Sequence, residues 1–170
     1  MNNFEFEHNG KKLWYSRSLA CNIIIIRYNP DESRYEVLAC KRGQGCEFNK
    51  GLWNVPGGFI DFNENAKQCA IRELYEETGA EISENAVGFY KLDTNPRGKR
   101  QTMVAVHYAL MTYARTELLK FTTEHSEPGE TEEIKWIAIK ELNNYKWCNG
   151  QTDYILGVCK DVAGIHDLGD

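Results

Sequence analysis

The segment GFIDFNENAKQCAIRELYEETGA, residues 58–80, decides how this chain is read. Asn65 can cap a helix, and Gln68 three positions later completes a variant of the capping box. The helix is expected to run over residues 66–78. Gly79 then stands where a helix often ends in a left-handed residue. Each residue of a helix advances about 100° around its axis. Glu73, Glu76 and Glu77 therefore share an arc of roughly 100° on one face. Ala70, Ile71 and Leu74 lie beside that arc and form the stripe that packs inward. Glu64 precedes the helix, close to its N-terminus.

Glutamates clustered on one helical face repel each other by a few tenths of a kcal/mol per pair. Two things can compensate. Arg72 can pair with Glu76 at i,i+4, and a hard divalent cation can take several carboxylates at once. Magnesium accepts oxygen ligands, keeps waters and bridges to phosphates. A solvated, glutamate-rich helix is the plain alternative, but it leaves Gly57-Gly58, Glu64 and Gly79 unexplained.

Outward from this segment, the chain reads as one mixed unit of 170 residues, without repeats, low-complexity tracts or linkers. Residues 20–28 and 34–42 are apolar and flank Asn29-Pro30-Asp31-Glu32-Ser33, the pattern of a hairpin with a longer loop. A short strand at residues 52–55 stops at Pro56-Gly57-Gly58. Residues 86–93 and 102–112 read as strands, the second apolar enough to be central. Another strand is expected at 133–139, around Trp136, and a second helix at about 151–163. This order implies an α/β (α+β) fold with helices packed on a central mixed sheet. Residues 1–19 read as an N-terminal arm that packs on a partner, compatible with a homodimer, or as an edge strand of the same subunit.

Composition narrows the function. The chain is 42% hydrophobic and 26% charged, as in a soluble globular protein. Its longest aliphatic run, from Ile23 to Ile26, is far below the roughly 20 residues of a membrane span. The acidic N-terminus lacks the basic and apolar regions of a secretory signal. Six cysteines without Cys-x-x-Cys spacing read as reduced core residues, so a cytoplasmic location is expected. A net charge of −5 argues against duplex nucleic acid as partner but not against a phosphorylated small molecule. A bound cation would supply the positive charge locally.

The spacing Gly58, Glu64, Arg72-Glu73-Leu74, Glu76-Glu77 and Gly79 resembles the Nudix box. At an average residue usage of about 6%, seven fixed positions would match by chance on the order of once in 10⁸–10⁹ windows. Ala80 departs from the aliphatic Ile, Leu or Val usual at that position, which packs rather than reacts. Gly51-Leu52-Trp53-Asn54-Val55-Pro56-Gly57 also resembles the strand and loop that lead into the box.

The resemblance implies a Nudix-like α/β/α sandwich and a hydrolase dependent on magnesium or manganese. Glu73 and Glu77 would be the principal metal ligands, with Glu76 additional or bound through water and a carbonyl of the Gly57-Gly58 loop joining them. Arg72 would orient the carboxylates. Glu64 would hold the loop and shape the site on its substrate side. The general base would be Glu73 or a glutamate of the late loop Glu124-His125-Ser126-Glu127-Pro128-Gly129-Glu130, Glu130 before Glu127. For each, an acidic surface loop is the plain alternative, and His125 reads as surface decoration.

The implied substrate is a small nucleotide: a nucleoside diphosphate linked to another moiety. Pro96-Arg97-Gly98 resembles ADP-ribose pyrophosphatases and the related domains of NAD-metabolism regulators. Arg42 with Lys41, and Arg97 with Arg100, are candidate phosphate contacts. The Ser-Gln-Pro-Trp motif of NADH-cleaving members is absent, and no helix-turn-helix segment is read after the domain. A house-cleaning nucleoside triphosphate pyrophosphohydrolase and a nucleotide sensor without turnover are the rival readings.

Overall fold

The computed structural model describes residues 4–96, 101–148 and 150–166. Strand β3 (Leu19–Asn29) is its axis. On one edge β3 runs parallel to β8 (Met103–Met111), in register from Leu19↔Met103 to Arg27↔Met111. β7 (Gly88–Asp93) continues this side antiparallel to β8. The expected central strand is thus flanked on both sides.

On its other edge β3 has two partners. Its C-terminal part pairs with β4 (Arg34–Arg42) from Ile26↔Val37 to Asn29↔Arg34, closing the expected hairpin. Its N-terminal part pairs with β6 (Gly57–Phe59). Beyond Val37, β4 leaves β3 and takes β5 (Trp53–Asn54), while β9 (Thr131–Ala138) runs along its other edge from Glu36 to Arg42. The 53–59 segment therefore wedges between diverging strands, and the Ile23 N–H donates to the Pro56 carbonyl at 2.9 Å. This wedge delivers Gly57 and Gly58 to the middle of the sheet.

Alternation along β3 builds two cores. Cys21, Ile23 and Ile25 face helix α1 (Ala66–Thr78), together with Cys69, Ala70 and Leu74. Ile24 and Ile26 face helix α3 (Gln151–Asp161), with Tyr154, Ile155, Val158 and Cys159. A helix on each face of one mixed sheet gives the expected α/β/α sandwich. All six cysteines are free thiols, and five are buried. Among the described residues no helix is long and apolar enough to cross a membrane.

Two elements differ from expectation. The N-terminal segment is not an edge strand of the main sheet: β1 (Phe4–His8) and β2 (Lys11–Tyr15) pair with each other as a separate hairpin. Asn9 and Gly10 both take positive φ, the geometry a tight two-residue turn requires. The hairpin's Phe4, Phe6, Leu13 and Tyr15 remain exposed. A four-residue helix α2 (Tyr113–Thr116) follows β8, where no periodicity marks it.

Candidate active site

Helix α1 forms as its sequence dictates. The Asn65 side chain accepts from the N–H groups of Lys67 and Gln68, and the Gln68 side chain accepts from the Asn65 N–H at 2.9 Å. Gly79 closes the helix at φ 71°, and its N–H donates to the Tyr75 carbonyl at 2.7 Å. These caps fix where the helix starts, and hence the direction in which its glutamates point.

Arg72 is the hub of the site. Its guanidinium donates to both oxygens of Glu64 at 2.7 and 3.0 Å, to Glu73 at 2.7 Å, to Glu76 at 2.8 Å and to the Phe59 carbonyl at 3.0 Å. The expected i,i+4 pair is present, within a larger cluster. Glu64 also accepts from the Asp61 N–H at 2.8 Å, so it ties the 59–64 loop to the helix. Pairing with Arg72 holds the Glu64 carboxyl down at about 2.

The three helix glutamates share a face but not an environment. Glu76 is 41% exposed, Glu73 12%, and Glu77 only 3%. Burial pushes Glu73 up to about 7, although Arg72 pulls the other way. Glu77 stands well above the usual carboxylate range because burial, then the charges of Glu73 and Glu130, oppose its ionisation. The Gly57 N–H donates to Glu77 and partly offsets this. Yet Glu77 Oε2 is buried without a hydrogen-bond partner among the described residues. An unpaired buried carboxylate costs several kcal/mol by order of magnitude, so such an atom needs an explanation.

Gly58 is required by close approach. A Cβ there would run into the Glu73 carboxylate. Gly58→Ala is expected to displace Glu73 and to lower turnover by about tenfold or more, since misplacement of order 1 Å can cost 10²-fold. Steady-state kinetics beside a thermal melt checks it: a large loss of kcat with a near-normal Tm is the expected outcome.

The late acidic loop meets the helix. The Gly43 N–H donates to the Glu130 carbonyl at 2.7 Å and the Gly45 N–H to the Gly129 carbonyl at 2.8 Å, so the loop after β4 is zipped onto residues 129–130. Gly58, Phe59, Asp61, Arg72, Glu73, Glu76, His125, Glu127 and Glu130 line one cleft of about 450 Å³. Glu130 accepts a bond of 3.4 Å from the Ser126 hydroxyl. Arg42, whose Nε donates to the Phe48 carbonyl, lies close enough to Glu77 to favour its ionised form. Lys41 pairs with Glu132 at 3.5 Å. Arg97 and Arg100 lie outside the described residues.

The site also holds features that sequence reasoning missed. The His125 ring stacks on Tyr75 with centroids 4.5 Å apart. The Cys40 thiol hydrogen-bonds with Glu77, and burial raises that thiol. Both are contacts between distant segments, for which local patterns carry no signal.

An oxygen-donor set with an orphaned buried carboxylate oxygen fits a hard divalent cation. Among the described residues no three acidic, histidine or cysteine side chains are placed to hold a metal ion together. Arg72 instead engages Glu73 and Glu76.

Known proteins share this architecture. The chain is 29% identical to the asymmetrical bis(5'-nucleosyl)-tetraphosphatase of Mus musculus, over 72% of this chain and 80% of that protein. It is 28% identical to the ADPR responsive transcriptional repressor NtrR of Acinetobacter baylyi, over 67% of this chain but 42% of the repressor. The chain spans between 26% and 49% of the length of several other curated relatives. Its fold superposes on the NUDIX domain of Shewanella oneidensis NrtR, crystallised with ADP ribose, with a TM-score of 0.70 and 18% identity, covering 87% and 90% of the two chains. The NUDIX domain profile matches residues 19–156, from the first residue of β3 into α3, and with that match the chain belongs to the Nudix family.

Proposed function

We propose that this chain is a divalent-cation-dependent pyrophosphohydrolase. Its substrate is a nucleoside diphosphate linked to another moiety, with ADP-ribose or a related nucleotide sugar favoured. The observation that carries the reading is Glu77, a buried carboxylate with an unpartnered oxygen beside Glu73 and Glu130. A purely structural helix gains nothing from such a group.

Glu73 and Glu77 would hold magnesium or manganese, with Glu76 through water and a Gly57-Gly58 carbonyl completing the protein's share. When bound, the cation supplies Lewis-acid polarisation of the phosphate and a water acidic enough to ionise near neutral pH. The chain's own residues do the rest. Arg72 holds Glu64, Glu73 and Glu76 in fixed orientation through charge-assisted bonds. Glu130, across the cleft and outside the Arg72 cluster, takes the proton from the attacking water, with Glu73 and Glu127 as the other candidates. Arg42 offers positive charge to a phosphate oxygen. Water adds across one P–O–P bond, giving two phosphate monoester dianions and two protons, since the second pKa of each monoester is about 6.

Two relatives with different names support the same class of ligand. A bis(5'-nucleosyl)-tetraphosphatase and an ADPR responsive repressor are both named for an anhydride of phosphates carrying nucleosides. The repressor also favours a second reading, a sensor that binds such a nucleotide without turnover. A panel of ADP-ribose, nucleotide sugars, dinucleoside polyphosphates, NADH and triphosphates, with product identification, decides between them. Monophosphate products from ADP-ribose are expected. Preference for triphosphates would move the assignment to house-cleaning, and tight binding without products to the sensor.

The pH dependence follows from the carboxylates. Glu73 titrates near 7 in the folded chain and near 4.3 unfolded, so the metal-free fold binds its proton more tightly than the unfolded chain. Its stability contribution is full below about 4.3 and is lost as pH rises through about 7. Cation binding needs the ionised form, so it strengthens over the same window. In chelator, Tm should fall from pH 5 to 8, and the increment given by magnesium should grow. An increment equal at both ends would contradict the assignment.

A further inference from the structure

We infer that His125, stacked on Tyr75, is a positioning residue that holds the loop carrying Glu127 and Glu130 over the helix carboxylates. The inference rests on the hydrolase reading of the same site.

Residues 121–130 form neither strand nor helix, yet they deliver two acidic side chains to the cleft. The loop is tied at its ends. The Thr122 N–H donates to the Thr78 carbonyl at 2.9 Å, at the end of α1, and Gly43 and Gly45 hold residues 129 and 130. Between these ties its main-chain bonds are local turns, Ser126 N–H to the Thr123 carbonyl and Glu130 N–H to the Glu127 carbonyl. Tyr75 of α1 reaches the middle of the loop. Its ring lies nearly parallel to that of His125, at an interplanar angle of 20° and 4.5 Å between centroids.

The stack opposes a force. Glu130 lines the same cleft as Glu73 and Glu76, and carboxylates brought close together repel. Repulsion between these like charges tends to swing the loop off the helix. A ring pair resists this by direct contact, and offset stacking has a defined geometry. Tyr75 belongs to the same helix as the glutamates, so the contact ties the loop to the element that carries them.

The test uses His125→Ala, His125→Phe, Glu130→Gln and the His125→Ala/Glu130→Gln pair, with kcat, KM and amide exchange of residues 122–130. His125→Ala should lower kcat about tenfold, part of the 10²–10⁴ that a positioned base contributes, and change KM by less than about twofold. His125→Phe keeps a ring and should restore kcat to within about threefold of wild type. In the Glu130→Gln background the His125→Ala loss should shrink to less than about twofold, because residues acting through one another are not additive. Exchange should quicken in His125→Ala and not in His125→Phe.

A wild-type kcat for His125→Ala, or His125→Phe as slow as His125→Ala, would overturn the inference. So would an undiminished tenfold loss in the Glu130→Gln background. If the wild-type protein turns over no substrate, the hydrolase reading fails separately. Exchange then decides on the clamp, and unchanged protection in His125→Ala overturns it.

Discussion

Glu77→Gln is expected to abolish most turnover while making the metal-free protein more stable. The side chain is 3% exposed, accepts the Gly57 N–H, and leaves its second oxygen unpartnered. The amide keeps the size and one acceptor but carries no charge. Losing a principal cation ligand should lower kcat by roughly two to three orders of magnitude, since such an ion contributes several kcal/mol to the transition state. Without metal the sign reverses. The wild-type carboxylate is buried beside Glu73 and Glu130, and removing its charge relieves both desolvation and repulsion. A Tm gain of roughly 3–5 °C at pH 8, for about 1–2 kcal/mol, is expected in chelator. At pH 5 the gain should nearly vanish, because the protonated acid resembles the amide. Melts with chelator and with magnesium, at both pH values, check all of this. A variant less stable than wild type in chelator would mean that Glu77 is structural.

Arg72→Ala should reduce activity and stability together, which separates it from Glu77→Gln. The guanidinium binds three carboxylates and the Phe59 carbonyl. Its removal leaves Glu64 and Glu73, 14% and 12% exposed, without their cation. Breaking a fully buried pair costs about 3–5 kcal/mol; Arg72 is 27% exposed, so about 2–3 kcal/mol is appropriate here. That corresponds to a Tm loss of roughly 5–10 °C. The kcat should fall as well, since Glu73 loses its orientation. Adding magnesium should recover part of the Tm, because the ion takes over some of the neutralisation. A melt unchanged from wild type would show that the cluster is only a surface network.

Helix α1 was the most legible part of the molecule because its signals are local. Asn65, Gln68 and Gly79 set its ends within the segment itself, and the expected bounds 66–78 match the structure. β3, β4, β8 and β9 were legible from apolar runs. β6 was not: it is three residues long, two of them glycine, and it exists because β3 and β4 diverge. The separate N-terminal hairpin was likewise hidden, since pairing partners are not written in alternation alone. Within the site, helical geometry put Glu73, Glu76 and Glu77 on one face. It did not say that Glu77 would be the buried one, because that depends on how the 53–59 wedge and β4 close over the helix. The Tyr75–His125 stack joins segments fifty residues apart and left no trace in either.

The most direct test of the central claim is nucleoside monophosphate release from ADP-ribose by the metal-stripped protein, with magnesium added back. Turnover absent in chelator, restored by magnesium and lost in Glu77→Gln is the expected result. Turnover that survives chelation, or that Glu77→Gln retains at near wild-type rate, would contradict the assignment of Glu77 as the centre of the site.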